Sequence, residues 1–115
     1  MRITSDLFVS ALVRRVFGLG GFAAVIRRGS TEAGAVYLLR RSRLGLVTLY
    51  GPAPQSSYEG RPDERLFHAV VEDGEEADIE ARLAREARFD PDLWVVEIEA
   101  DGLPDDLIPL SRPEG

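Results

Sequence analysis

FAAVIRRGSTEAGAVYLLRRSRLGLVTLY, residues 22–50, decides how this chain is read. Phe22 to Arg28, Ala35 to Arg41 and Leu46 to Tyr50 are apolar, β-branched or aromatic runs, and Gly29, Gly34 and Gly45 punctuate them. Short runs of that composition separated by turn residues are strands joined as hairpins. Both alternate positions are apolar in Ala23-Ala24-Val25-Ile26 and in Val36-Tyr37-Leu38-Leu39, so the strands are expected to be covered on two sides. The turn after the second strand is expected to centre on Arg43-Leu44, which sets Tyr37 beside Tyr50. With Tyr58 and Trp94 they would line an aromatic pocket, although cross-strand packing in the core is the commoner use of such residues.

Upstream, Thr4-Ser5-Asp6 followed by Leu7-Phe8 is a helix start, with Thr4 as cap and Asp6 in the first turn. The helix is expected to run to about Leu19, where Gly18, Gly20 and Gly21 end it. Its apolar residues spread round most of the circumference, which argues for burial on more than one side, by the sheet plus a tail or by another subunit, and a homodimer is the preferred assembly. Downstream, Leu66 to Val71 is a fourth strand. Gly74 to Asp78 opens a second helix whose inner stripe is Ile79, Leu83 and Ala87. Asp90-Pro91-Asp92 breaks it, and Leu93 to Ile98 is a fifth strand. The expected fold is α+β, in the order α-β-β-β-β-α-β: an antiparallel sheet of about five strands, a four-strand meander plus a fifth, with two helices packed on it. Residues 1–100 form one domain on this reading, and 101–115 a tail docked by Leu107, Ile108 and Leu110.

The charge is divided. Residues 1–50 carry eight arginines against Asp6 and Glu32, whereas residues 51–115 carry six arginines against eighteen carboxylates, so that +6 and −12 sum to the net −6. A basic half of this kind faces an anion, or pairs with the acidic half of its own or another chain. The absence of cysteine removes thiol catalysis and disulfides, and the absence of lysine removes Schiff-base chemistry. A cytoplasmic location is the natural expectation. The start of the chain is not a signal peptide, and the longest uncharged run, Val16 to Ile26, is too short to span a bilayer.

No residue set specifies a reaction. His68 is the single histidine and reads as a strand residue exposed on one side. Glu97 and Glu99 share a strand face at ~7 Å, a spacing that paired catalytic carboxylates also use but that any acidic edge shows. The glycines at 18, 20 and 21 close a helix instead of opening one, so they are no phosphate loop. Ser56 and Ser57 lie in no nucleophile elbow. No cofactor or metal is implied.

The arginines are the lead. Arg27, Arg28, Arg40 and Arg41 lie at strand ends, and the long proline-bearing segment from Gly51 to Glu64 brings Tyr50, Gln55, Ser56 and Tyr58 into consideration as ligand contacts. Three readings compete: the arginines pair with the acids of the second half, within the monomer or across a dimer; they bind a small anionic ligand or an acidic protein surface; or they bind nucleic acid, which the acidic net charge opposes. The favoured function is a non-enzymatic binding or interaction module. The alternatives are a small hydrolase or transferase acting on an anionic substrate beside the 51–64 segment, and a structural subunit of a larger assembly.

Through Thr4-Ser5-Asp6, Gly20-Gly21-Phe22-Ala23-Ala24, Arg27-Arg28-Gly29, Ala33 to Tyr37, Leu49 to Ser56, Ala81 to Glu86 and Phe89 to Glu99, the chain resembles the alphaproteobacterial proteins of domain-of-unknown-function family 1491. The resemblance covers nearly the whole chain and implies a small bacterial cytoplasmic protein. It brings no catalytic residue, substrate or cofactor with it.

Overall fold

The computed structural model describes residues 3–54, 65–99, 104 and 106–111. The elements run α1 (Ser5–Gly18), β1 (Phe22–Arg27), β2 (Val36–Arg41), β3 (Val47–Pro52), β4 (Phe67–Gly74), α2 (Glu76–Phe89) and β5 (Trp94–Glu99). The α+β class and the order α-β-β-β-β-α-β are as the sequence implies.

The strand order is β1-β5-β2-β3-β4. β2, β3 and β4 form a meander, but β1 does not join it. β5 enters between β1 and β2, antiparallel to the first and parallel to the second, which makes the sheet mixed. The cause lies in burial. β5 is the strand most enclosed on both faces, with Trp94, Val95, Val96 and Ile98 all buried, and it takes an interior position flanked by β1 and β2. The connection from β1 to β2 must then pass the entry to β5. At Gly29 and Gly34 a side chain would strike the Asp92 backbone carbonyl, so the chain can cross there only as glycine.

Alternation along the strands gives the sheet two differently covered faces. Val36 and Leu38 of β2 and Trp94, Val96 and Ile98 of β5 face α1, whose Val9, Leu12 and Val16 are buried on them together with Leu107 and Ile108 of the C-terminal segment. Val47, Leu49, Tyr37 and Leu39 face α2, which contributes the buried Ile79 and the partly buried Leu83. Leu110, expected to dock beside Leu107 and Ile108, is exposed, although its backbone bridges Phe67 at the start of β4.

α1 begins as expected, with the Thr4 hydroxyl accepting from the Leu7 amide at 3.2 Å. It ends when Gly20, at φ +86°, lets the Gly20 and Gly21 amides turn back to the Phe17 and Val16 carbonyls at 3.0 and 2.9 Å. Its apolar circumference is buried along one stripe only: Leu7, Phe17 and Leu19 stay exposed. The β2–β3 turn centres on Leu44 and not between Arg43 and Leu44, since Arg41 pairs with Val47, and Tyr50 is paired with Leu38, one residue on from Tyr37. A one-residue shift reverses the face. Tyr37 therefore packs toward α2 and Tyr50 against the α1 core, and together with the buried Trp94 they line no common pocket. Tyr58 lies outside the described residues.

Candidate functional site

α2 lies over β3 and β4, and its inner flank is short of bulk: after Ile79 and Leu83 come Ala84 and Ala87. A helix with alanine where it should reach the sheet leaves space beneath it. A groove of about 380 Å³ results. Its floor is Leu39 of β2, Val95 of β5 and Ile26 of β1. Ile26 reaches it by alternation from Ala24, which opposes Glu97, and the β1–β5 register shift between Val25 and Arg27 is a bulge that turns the next side chain, Arg27, to the same face.

The walls are apolar apart from Glu80 of α2, and the ends are charged. At the end near Val47 and the start of α2, Arg41 bonds Glu97 at 2.6 Å and Glu76 at 2.5 Å. The Glu76 hydrogen bond, followed by that of Glu97, holds the Arg41 guanidinium above its already high ordinary value, and Arg41 in turn holds the Glu76 carboxyl below the usual carboxylate range. Two carboxylates satisfy this cation. At the other end Arg27 stands opposite Val95 and donates to the Pro91 carbonyl oxygen at 2.9 Å. Among the described residues no carboxylate lies within ion-pair distance of it.

Of the eight residues singled out in the sequence, Arg27 and Arg41 meet in this groove. Arg28 is directed elsewhere: its guanidinium bonds Asp6 at 3.2 Å and lies 5.1 Å from the centroid of the Trp94 ring. Arg40 is in register with Thr48 and Ile98 at the far end of β2 from Arg28, so its side chain belongs to the α1 face. Tyr50 is part of the α1 core, and Gln55, Ser56 and Tyr58 lie outside the described residues. The arginines thus form no single surface. Arg41 and Arg15 pair with acids of the second half, Arg28 with an acid of the first.

His68 is exposed on β4, Glu97 is engaged by Arg41, and Glu99 is exposed at the end of β5. Among the described residues no three His, Asp or Glu side chains converge to hold a metal ion, and no helix is long and apolar enough to cross a membrane. The sequence reading does not single out Ile26, Leu39, Ala84 or Val95 as site residues, and it takes Leu83 as helix packing and Glu97 as one of an acidic strand pair with Glu99. Ala84 and Ala87, small residues on the flank that meets the sheet, were the available signal.

Four of the segments that carry the family resemblance, Thr4 to Asp6, Arg27 to Gly29, Ala33 to Tyr37 and Phe89 to Glu99, meet at the end of the sheet where Arg28 lies against Trp94. There the buried Ser5 hydroxyl donates to the Gly34 carbonyl at 2.5 Å, the Trp94 indole donates to the Ser30 carbonyl at 2.7 Å, and Arg65 donates to Ser5 at 3.0 Å. Comparison with solved structures extends that resemblance to the backbone. The solution structure of protein Atu0922 from A. tumefaciens matches with a TM-score of 0.83 at 48% identity, over 100% of both chains. A crystal structure of a DUF1491 family protein from Caulobacter crescentus CB15 matches with a TM-score of 0.76 at 37% identity, over 96% of this chain and 99% of that one. An NMR structure of a DUF1491 family protein from the same organism matches with a TM-score of 0.76 at 36% identity, over 97% and 99%. Comparison with curated proteins finds no match. The profile of the family described as protein of unknown function (DUF1491) covers residues 3–105, and the chain belongs to that family.

Proposed function

We propose that the chain is a non-enzymatic binding module that takes a small ligand with an apolar body and one anionic group into the groove beneath α2. The difference between the two arginines carries this reading. Arg41 is neutralised by Glu76 and Glu97, whereas Arg27, at the opposite end, donates to a carbonyl and meets no carboxylate among the described residues. Its fork suits a carboxylate or a phosphate. Between the two lie walls that are aliphatic apart from Glu80, and a volume of about 380 Å³, within the range of small-molecule sites. A ligand that laid its chain along Leu39 and Val95 would gain burial there and a charge-assisted bond at Arg27.

Titration of the protein with a chain-length series of alkyl carboxylates, followed by amide NMR shifts, tests this directly. Saturable shifts grouped at Ile26, Leu39, Ala84 and Val95 are expected. Ala84→Leu, which fills the groove, should abolish them, and Arg27→Ala should weaken binding about tenfold. Shifts located elsewhere, or affinities indifferent to both substitutions, would refute the assignment.

A further inference from the structure

The two edges of the sheet are treated differently. The β4 edge is covered where it begins: the Phe67 amide donates to the Pro109 carbonyl at 2.8 Å, and the Ser111 amide donates back to the Phe67 carbonyl at 2.8 Å. Farther along it carries Glu72 and Asp73. The β1 edge has no such cover among the described residues, and no proline or charge before Arg27. It exposes Phe22, Val25 and Ile26 to 48%, 42% and 58%, and the α1 ring of Phe17 adds to Phe22 edge-on at 5.8 Å. A bare apolar edge is a template for another strand.

We propose that this edge is the contact between two copies of the chain, β1 pairing antiparallel with β1 of the second copy about a two-fold axis at Ala24. The sequence of the strand fits its own reversal. Ala24 then faces Ala24, Ala23 faces Val25, and Phe22 faces Ile26, so that small residues meet at the axis and the exposed bulky ones meet on either side. The ends match as well. Glu99 flanks Phe22 on β5, and Arg27 follows Ile26, so reversal brings the arginine of each copy to the acidic end of the other. A partner running in the same direction would set like ends together. The bulge at Ile26 bends the strand beyond it and limits the contact to residues 22–26. The proposal does not depend on a ligand in the groove.

Sedimentation of the ligand-free chain over a wide concentration range gives the first test, with twice the chain mass expected at the upper end. Ile26→Glu should give a monomer whose circular dichroism is unchanged. Ala24→Cys provides a reading that survives any folding defect in that variant. The chain has no cysteine, and residues directly opposed across an antiparallel pair stand ~4.5–5.5 Å apart at Cα, inside the range a disulfide spans. Mild oxidation should therefore link two copies through Cys introduced at 24, and not through Leu44→Cys in the exposed β2–β3 turn. A monomer at every concentration, a dimer that persists in folded Ile26→Glu, or cross-linking of Ala24→Cys no faster than that of Leu44→Cys would each overturn it.

Discussion

One sheet presents two faces that were finished to different standards. On the α1 face, Val9, Leu12 and Val16 meet Leu38, Trp94 and Val96 with Leu107 and Ile108 closing the side, and all are buried. On the α2 face one helical residue, Ile79, is fully buried, and alanines stand where a second layer of large side chains would seal the floor. The α1 face supplies stability through area removed from water and through backbone locks at Gly34 and Ser5. The α2 face leaves area unfilled and balances its charges by a local trio. With the α1 face securing the core, the fold holds while the α2 face stays under-packed and open as a groove.

That contrast breaks most sharply at Gly34. Its added methyl group would fall on the Asp92 carbonyl and within 3.0 Å of the Ser30 backbone, none of which can move without shifting β5. Gly34→Ala should cost more than about 4 kcal/mol, a large share of the stability of a small domain. Denaturant unfolding measures it. A loss under about 1 kcal/mol would mean that the α1 face is not locked where its helix begins.

The α2 face should respond more mildly. Arg41→Met keeps the apolar stem but leaves Glu97, largely buried, without its cation, at a cost of about 1–3 kcal/mol at neutral pH. The pH dependence identifies the cause. Because Arg41 lowers the Glu76 carboxyl, the stability that Glu76 contributes is present above the usual carboxylate range and is lost as pH falls through the lowered value. The gap between the wild-type chain and Arg41→Met should therefore narrow on acidification. A gap that stays constant down to strongly acid pH would assign the loss to packing alone.

How far each face could be read from sequence follows the same division. The Thr4 cap, the glycine stop of α1, the turn residues and the apolar runs are local signals, and they place every element in order. The insertion of β5 is not local. It depends on β5 being the strand most worth enclosing, and its trace in the sequence is the eight-residue 28–35 connection, long for a hairpin and glycine-bearing at Gly29 and Gly34. The candidate site was legible as residue types and illegible as a place. Arg27 and Arg41 stood out as cations, yet one register shift in β1 decides that Arg27 joins Ile26 on the face toward α2, and one residue in the β2–β3 register decides which tyrosine does. The long-loop contacts Gln55, Ser56 and Tyr58 lie outside the described residues, so they do not enter the comparison.

The smallest expected effect sharpens the α2 face alone. The Tyr37 hydroxyl donates to Glu86 of α2 at 3.3 Å, and burial, with the Glu86 charge second, raises the Tyr37 phenol above its ordinary value. A group raised on folding contributes stability that is complete below its unfolded value, near ~10, and is lost as pH climbs through the folded one. The chain has no lysine and three tyrosines, so few groups compete with this signal on the alkaline side. Tyr37→Phe should cost less than about 1 kcal/mol at neutral pH and should flatten the alkaline limb of the stability curve. Thermal melts from neutrality to beyond pH 10 read both quantities. An alkaline limb unchanged in Tyr37→Phe would show that the helix rests on this face without the Tyr37–Glu86 bond, and that Ile79 and Leu83 alone set the depth of the groove.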